Sequence, residues 1–125
     1  AGRRRLRTVR GDLLDAPASS VIVHQCNCVT SRARGLAAAI FARWPAADVY
    51  RLRAGARSSP GTIDVSWVDG GRRRVVAMFA QVQPGQPRGA ADSARRRLEW
   101  FERCLDAVAR MSPRPARVAG APPGG

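Results

Sequence analysis

Three side chains with metal-binding or nucleophilic potential alternate after the apolar run Val21-Ile22-Val23: His24, Cys26 and Cys28. On an extended strand, residues two apart share a face, so these side chains would line up rather than converge. A structural zinc site takes about four ligands in a tetrahedron, and Cys104 is the only obvious fourth. Ligands in a row on one strand close poorly around an ion, so no metal is expected, and buried, inert thiols are the simpler outcome. His24 acting as base for a nucleophilic Cys26 would also need an orienting group, and the sequence names none.

The same run leads into a second kind of chemistry. The strand ends at Asn27, a polar loop follows through Thr30-Ser31-Arg32-Ala33-Arg34-Gly35, and a helix-forming stretch begins at Leu36. Backbone N–H groups at a helix N-terminus have no intrahelical acceptor, and a glycine lets an anion approach them closely. Arg32 or Arg34 could add charge-assisted contacts. A plain strand-to-helix turn through Gly35 is the alternative. Upstream, Gly11-Asp12 offers a carboxylate at a turn, either as a local cap or as an acceptor for a ligand donor.

The elements that must position these residues read as mixed α/β. Leu6-Arg7-Thr8-Val9 is a short strand candidate, and the continuous apolar run Val21-Ile22-Val23, extended by His24-Gln25-Cys26, is expected to be a central strand. Residues 36–42 predict a helix that ends before Trp44-Pro45, and residues 47–53 predict a second, short one. Residues 62–68 alternate at period two, Asp69-Gly70-Gly71 turns the chain, and residues 75–80 return as a hairpin. Asp92-Ser93 is placed to cap a long helix with Leu98, Phe101, Leu105 and Val108 on its apolar face. Residues 116–119 predict a last strand, and residues 120–125 a flexible tail of Gly, Ala and Pro.

Composition narrows the classes. A chain of 125 residues with 45% hydrophobic content is expected to form one domain. It has no apolar stretch approaching the roughly 18 residues of a membrane span. Its three cysteines form no disulfide framework, and Arg3-Arg4-Arg5 has no apolar segment behind it; an intracellular, reducing setting is the expectation. The net charge of +13 comes entirely from arginine, for the chain contains no lysine. Such charge raises a polyanionic partner, and Arg72, Arg73, Arg74, Arg95, Arg96 and Arg97 carry the alternative reading of a basic nucleic-acid-binding module. An arginine-rich solvated face is the competing account, and codon bias toward Arg, Ala, Gly and Pro accounts for part of the charge.

Taken together, Gly11-Asp12-Leu13-Leu14, then residues 21–28 (Val-Ile-Val-His-Gln-Cys-Asn-Cys), then Gly35-Leu36-Ala37-Ala38-Ala39-Ile40 resemble the first half of a macro domain. The resemblance is to the divergent branch that includes the terminal ADP-ribose glycohydrolases, and it extends through the hairpin and the long helix. It implies a three-layer α/β/α fold with a mixed sheet, binding ADP-ribose or an ADP-ribosylated partner without a cofactor. By that resemblance Asp12 would accept from the adenine amino group beside Leu13. Asn27 would face the distal ribose, and Arg34, Gly35, Leu36 and Ala37 would wrap the diphosphate.

Two departures accompany it. Glycohydrolases of that branch use a lysine nucleophile after the returning strand, where this chain has Ala80-Gln81-Val82-Gln83-Pro84, so a lysine-adduct mechanism is excluded. After residues 116–119 the family continues into a second phosphate loop, a helix and a strand. A partial macro-like domain over residues 1–119, lacking those elements, is therefore expected.

Overall fold

The computed structural model describes residues 11–121. The strand expected at residues 6–9 and the end of the tail lie outside the described residues. Four strands form one mixed sheet in the order β2-β3-β1-β4: β1 Val21–Asn27, β2 Ile63–Val68, β3 Arg73–Gln81 and β4 Val118–Gly120. β1 runs parallel to both β3 and β4, and β2 closes the far edge antiparallel to β3. The carboxyl ends of β1, β3 and β4 therefore share one edge of the sheet, where open α/β sheets carry their ligands.

Alternation along the central strands builds two cores, one on each face. Ile22 and Cys26 of β1, with Val75, Ala77 and Phe79 of β3, pack with Ile40 and Phe41 of α1 (Gly35–Arg43) and with Val49 and Tyr50 of α2 (Val49–Leu52). Val21, Val23, Val76 and Met78 pack instead with Cys104 and Val108 of α3 (Ala94–Ala109). Helices thus cover both faces of the sheet, giving an α/β/α fold. Residues such as Ile22 and Val76 are fully enclosed, because both faces of β1 and β3 are buried.

The structure moves several expected boundaries. The second helix is shorter than expected: Pro45–Ala47 form a 3-10 turn, and Asp48 caps α2 by accepting from the Arg51 N–H at 3.1 Å. On α3 the buried face is Trp100, Cys104 and Val108, while Leu98 is 55% exposed. Of the expected stripe, Val108 is buried and Phe101 and Leu105 pack against the same cluster; Leu98 alone falls outside, and Trp100 and Cys104 are buried in addition. Gly120 closes β4 rather than opening the tail. A Cβ there would lie 2.7 Å from Val23 Cγ2, so only glycine lets the two strands meet at this point.

The arginine run at the hairpin also behaves differently from a solvated turn. β3 starts at Arg73, and both Arg73 and Arg74 are buried. Arg73 donates to the Ala16 and Pro17 carbonyls at 3.1 and 2.7 Å, and Arg74 donates to the Pro113 carbonyl at 2.6 Å. Arg73 and Arg74 also lie over the rings of Trp44 and Trp67, at 5.6 and 5.2 Å. These two arginines tie connecting segments to opposite faces of the sheet.

Candidate functional site

The candidate site begins where β1 ends. Its register against β3 shifts between Cys26 and Asn27, an irregularity of the kind that re-aims side chains beside functional sites. Asn27 is buried, and its Oδ1 accepts from the Val29 N–H at 3.0 Å, the Thr30 N–H at 2.9 Å and the Thr30 hydroxyl at 3.0 Å. This is an Asx turn, in which the side chain substitutes for the strand ladder and folds the chain away from the sheet. The Asn27 N–H donates to the Tyr50 hydroxyl at 2.9 Å.

Arg53, at the C-cap of α2, completes this anchor and was not legible as a site residue. Its guanidinium donates to the Asn27 carbonyl at 2.9 Å, Asn27 Oδ1 at 3.3 Å, the Thr30 carbonyl at 2.6 Å and Ser58 Oγ at 2.9 Å. It also stacks over Tyr50 at 4.7 Å. One planar fork thus holds residues 27–30 against α2.

Beyond the anchored segment, the loop reaches the start of α1. Arg34 is the N-cap residue, with extended backbone and no side-chain capping bond, and the first turn contains no acidic residue. Gly35 has φ +57°, a left-handed conformation that favours glycine. Arg32, Arg34, Gly35 and Leu36 are exposed and Ala37 is half-buried. Among the described residues, the opening N–H groups of α1 therefore have no acceptor, and two exposed cations lie beside them.

Asp12 sits elsewhere on the same face of the sheet. It caps the 3-10 turn Leu13–Asp15, its Oδ1 accepting from the Leu14 N–H at 2.9 Å, and it is exposed. Leu13 and Leu14 pack against the apolar cluster that also receives Ala33 and Ala37. No hydrogen bond joins this turn to Asn27 or to residues 34–37 among the described residues. Gln81, at the carboxyl end of β3, spends its amide on the Gln83 carbonyl at 2.9 Å. Two open concavities among the described residues are lined by none of these residues. One, of about 330 Å³, is lined by Trp44, Trp67 and Asp69, and the other, of about 390 Å³, by Ser93, Arg95 and Arg96.

The His24–Cys26 pair is enclosed in the core. The sulfur lies 3.6 Å from His24 Nδ1, and the imidazole meets Phe41 edge-on at 5.3 Å. Burial lowers the His24 pKa to about 4 and raises the Cys26 thiol to about 12, so both are neutral near pH 7. Burial likewise raises Cys104 to about 11; it donates to the Thr62 carbonyl and belongs to the core under α3, across the sheet from Cys26.

The second loop at this edge, after β3, is closed by Asp92. Its carboxylate accepts from the Val82 and Gln83 N–H groups at 3.1 and 2.9 Å and from Arg97 Nε and Nη2 at 3.0 and 2.8 Å. Burial alone would raise this carboxyl, but the bonds from Arg97, Gln83 and Val82 prevail and hold it below the usual range. Arg97 also donates to the Gln83, Gly85 and Gln86 carbonyls. Of the six arginines in the two runs, Arg73, Arg74 and Arg97 are thus engaged in holding the fold. Arg72, Arg95 and Arg96 are exposed, Arg95 facing Glu99 at 3.7 Å.

Over about a third of its length, the chain is similar to three curated fungal proteins that carry the name ADP-ribose 1''-phosphate phosphatase. It is 40% identical over 46 residues to that of Aspergillus oryzae, covering 36% of this chain and 23% of the relative. It is 43% identical over 44 residues to that of Ajellomyces capsulatus, covering 35% and 16%. The protein of Aspergillus clavatus gives 42% over 48 residues, covering 38% and 24%. The chain thus spans less than a quarter of the length of the curated relatives it matches. No protein-family model and no solved structure matches. The likeness supports the macro-domain resemblance without distinguishing its branches.

Proposed function

We propose that this chain is a macro-type module that binds ADP-ribose, free or attached to a modified partner, at the carboxyl edge of its parallel strands. The observation that carries the reading is the uncapped start of α1, presented by a loop that Asn27 and Arg53 anchor rigidly. There the diphosphate takes the N–H groups of Gly35, Leu36 and Ala37, with Arg32 and Arg34 balancing its charge. Asn27 faces the distal ribose. Asp12, whose Oδ2 makes no hydrogen bond among the described residues, accepts from the adenine amino group beside Leu13. The relatives' names supply independent support for an ADP-ribose-type ligand. Placement in the divergent branch with the terminal ADP-ribose glycohydrolases rests on residues 11–14, 21–28 and 35–40 and is part of the proposal.

Calorimetric titration with ADP-ribose tests this reading, repeated across a salt series and with Asp12→Ala. A pocket that recognises adenine gives binding that survives salt and is lost in Asp12→Ala. Absence of binding by protein shown to be folded overturns the reading. A parallel titration with single-stranded oligonucleotide addresses the exposed Arg72, Arg95 and Arg96. Affinity falling steeply with salt there, with none for ADP-ribose, would assign the chain to nucleic acid instead.

A further inference from the structure

We infer that Arg53 is the positioning residue of the ADP-ribose site: it locks the Asn27 carboxamide so that Asn27 meets the ligand only as a hydrogen-bond donor. The inference rests on the ADP-ribose reading above and specifies what one subsite accepts. Asn27 Oδ1 already receives four donors, from Val29, Thr30 twice and Arg53. A carboxamide oxygen has two lone pairs, so it has no capacity left for a ligand hydroxyl. Asn27 Nδ2, by contrast, donates to no acceptor among the described residues, and it is not one of the buried side-chain atoms lacking a partner. The flipped carboxamide would put NH₂ against two N–H groups and a guanidinium, so the network fixes its orientation.

Arg53 is placed for this role at the expense of its own satisfaction. Its Nε is buried with no hydrogen-bond partner among the described residues, while its two terminal nitrogens make all the contacts to residues 27, 30 and 58. An orphaned buried donor is uncommon, and in this half-buried side chain it is the cost of aiming both terminal nitrogens at residues 27, 30 and 58. The ring of Tyr50 supports the guanidinium from one side and accepts the Asn27 N–H with its hydroxyl, so side chain and backbone of Asn27 are fixed together. The ligand group at this point must therefore present a lone pair, as a ribose hydroxyl or a phosphate oxygen does.

The test is a double-mutant cycle in ADP-ribose binding with Arg53→Lys and Asn27→Ala, with thermal unfolding and the ¹⁵N side-chain amide spectrum of the ligand-free proteins alongside. Lysine keeps the charge but cannot fork. Arg53→Lys should weaken binding about tenfold when Asn27 is present and hardly at all in the Asn27→Ala background. Equal losses in both backgrounds would reduce Arg53 to a structural role and overturn the inference. Asn27→Asp keeps an acceptor for all four donors and replaces the NH₂ donor by a second, charged carboxylate oxygen, so it should fold at least as stably as the parent and lose binding. If Asn27→Asp binds as well as the parent, the donor-only assignment is wrong. The ligand-free spectrum separates the two levels of the argument. A dispersed Asn27 carboxamide that collapses in Arg53→Lys supports the positioning role even if ADP-ribose does not bind; an averaged carboxamide in the parent refutes it.

Discussion

Two helices start just after the carboxyl ends of neighbouring parallel strands, and their first turns are built in opposite ways. α3 opens with Arg95, Arg96 and Arg97, cations at the positive end of a helix dipole. The chain compensates with Ser93, whose hydroxyl accepts from the Arg96 N–H at 3.2 Å, and with Asp92, whose buried carboxylate absorbs Arg97 and two loop N–H groups. α1 has no cap and no acid in its first turn, and its fixed points lie upstream, at Asn27 and Arg53. The two loops are comparably anchored, but among the described residues α3 has a side-chain cap and a carboxylate beside its start, and α1 has neither. An anion offered to this edge finds an acceptor already in place at α3 and unoccupied donors at α1. The contrast explains why an arginine-rich segment can be the weaker candidate for an anion site.

Removing the internal acceptor breaks the contrast most severely. Asp92→Ala leaves the Arg97 guanidinium and the Val82 and Gln83 N–H groups without their partner in a buried place. Destabilisation of about 4 kcal/mol is expected in urea unfolding, since breaking a buried pair from one side costs more than the pair contributes. Loss of less than about 1 kcal/mol, the scale of an exposed pair, would mean that water substitutes for the carboxylate and that the α3 loop is held otherwise.

Acid should then separate the two regions by pH window. His24 lies under α1 with its pKa lowered to about 4 by burial, against 6.5 for an unburied imidazole. Between those values the unfolded chain binds the extra proton, so stability is complete above pH 6.5 and declines as pH falls toward 4. The total loss is about 3 kcal/mol. The Asp92 carboxyl is held below its usual range, so its contribution survives this window and disappears only as pH falls through its depressed folded value. Unfolding free energies across this range should show the His24 step, and His24→Phe should flatten it. A step unchanged in His24→Phe would assign it to another group.

Local signals made part of this architecture legible. The period-two alternation of residues 62–68 and the Asp69-Gly70-Gly71 turn locate the hairpin, and Ser93 caps the helix it was placed to cap. The segment from Asn27 to Gly35 leads from strand into helix as expected. What failed to show was long-range. Arg73 is buried because carbonyls 56 and 57 residues away receive its guanidinium, and Arg74 because of a carbonyl 39 residues away. Nothing in an Arg-Arg-Arg run announces such partners. Phe101, Leu105 and Val108 of the apolar stripe on α3 reach the core, but the stripe does not announce that Trp100 and Cys104 are buried while Leu98 is exposed. Arg53 is one of 22 arginines, and its importance lies in four contacts made across a fold.

The smallest expected change is also the sharpest on the comparison, because it rebuilds α1 in the manner of α3. Arg34→Asp supplies a carboxylate at the N-cap, where it can accept from the opening N–H groups and interact favourably with the helix dipole. A gain of up to about 1 kcal/mol is expected in unfolding free energy. The same carboxylate occupies the donors that the diphosphate would use and repels it, so ADP-ribose affinity should fall while stability rises. Arg34→Ala is the necessary companion. It removes the cation without supplying an acceptor, so it should weaken binding less and leave stability nearly unchanged. If the two variants bind alike, the loss comes from the missing guanidinium rather than from closing the helix start. The N–H groups of α1 would then not be where the anion sits, and the distinction drawn between the two helices would hold for stability alone.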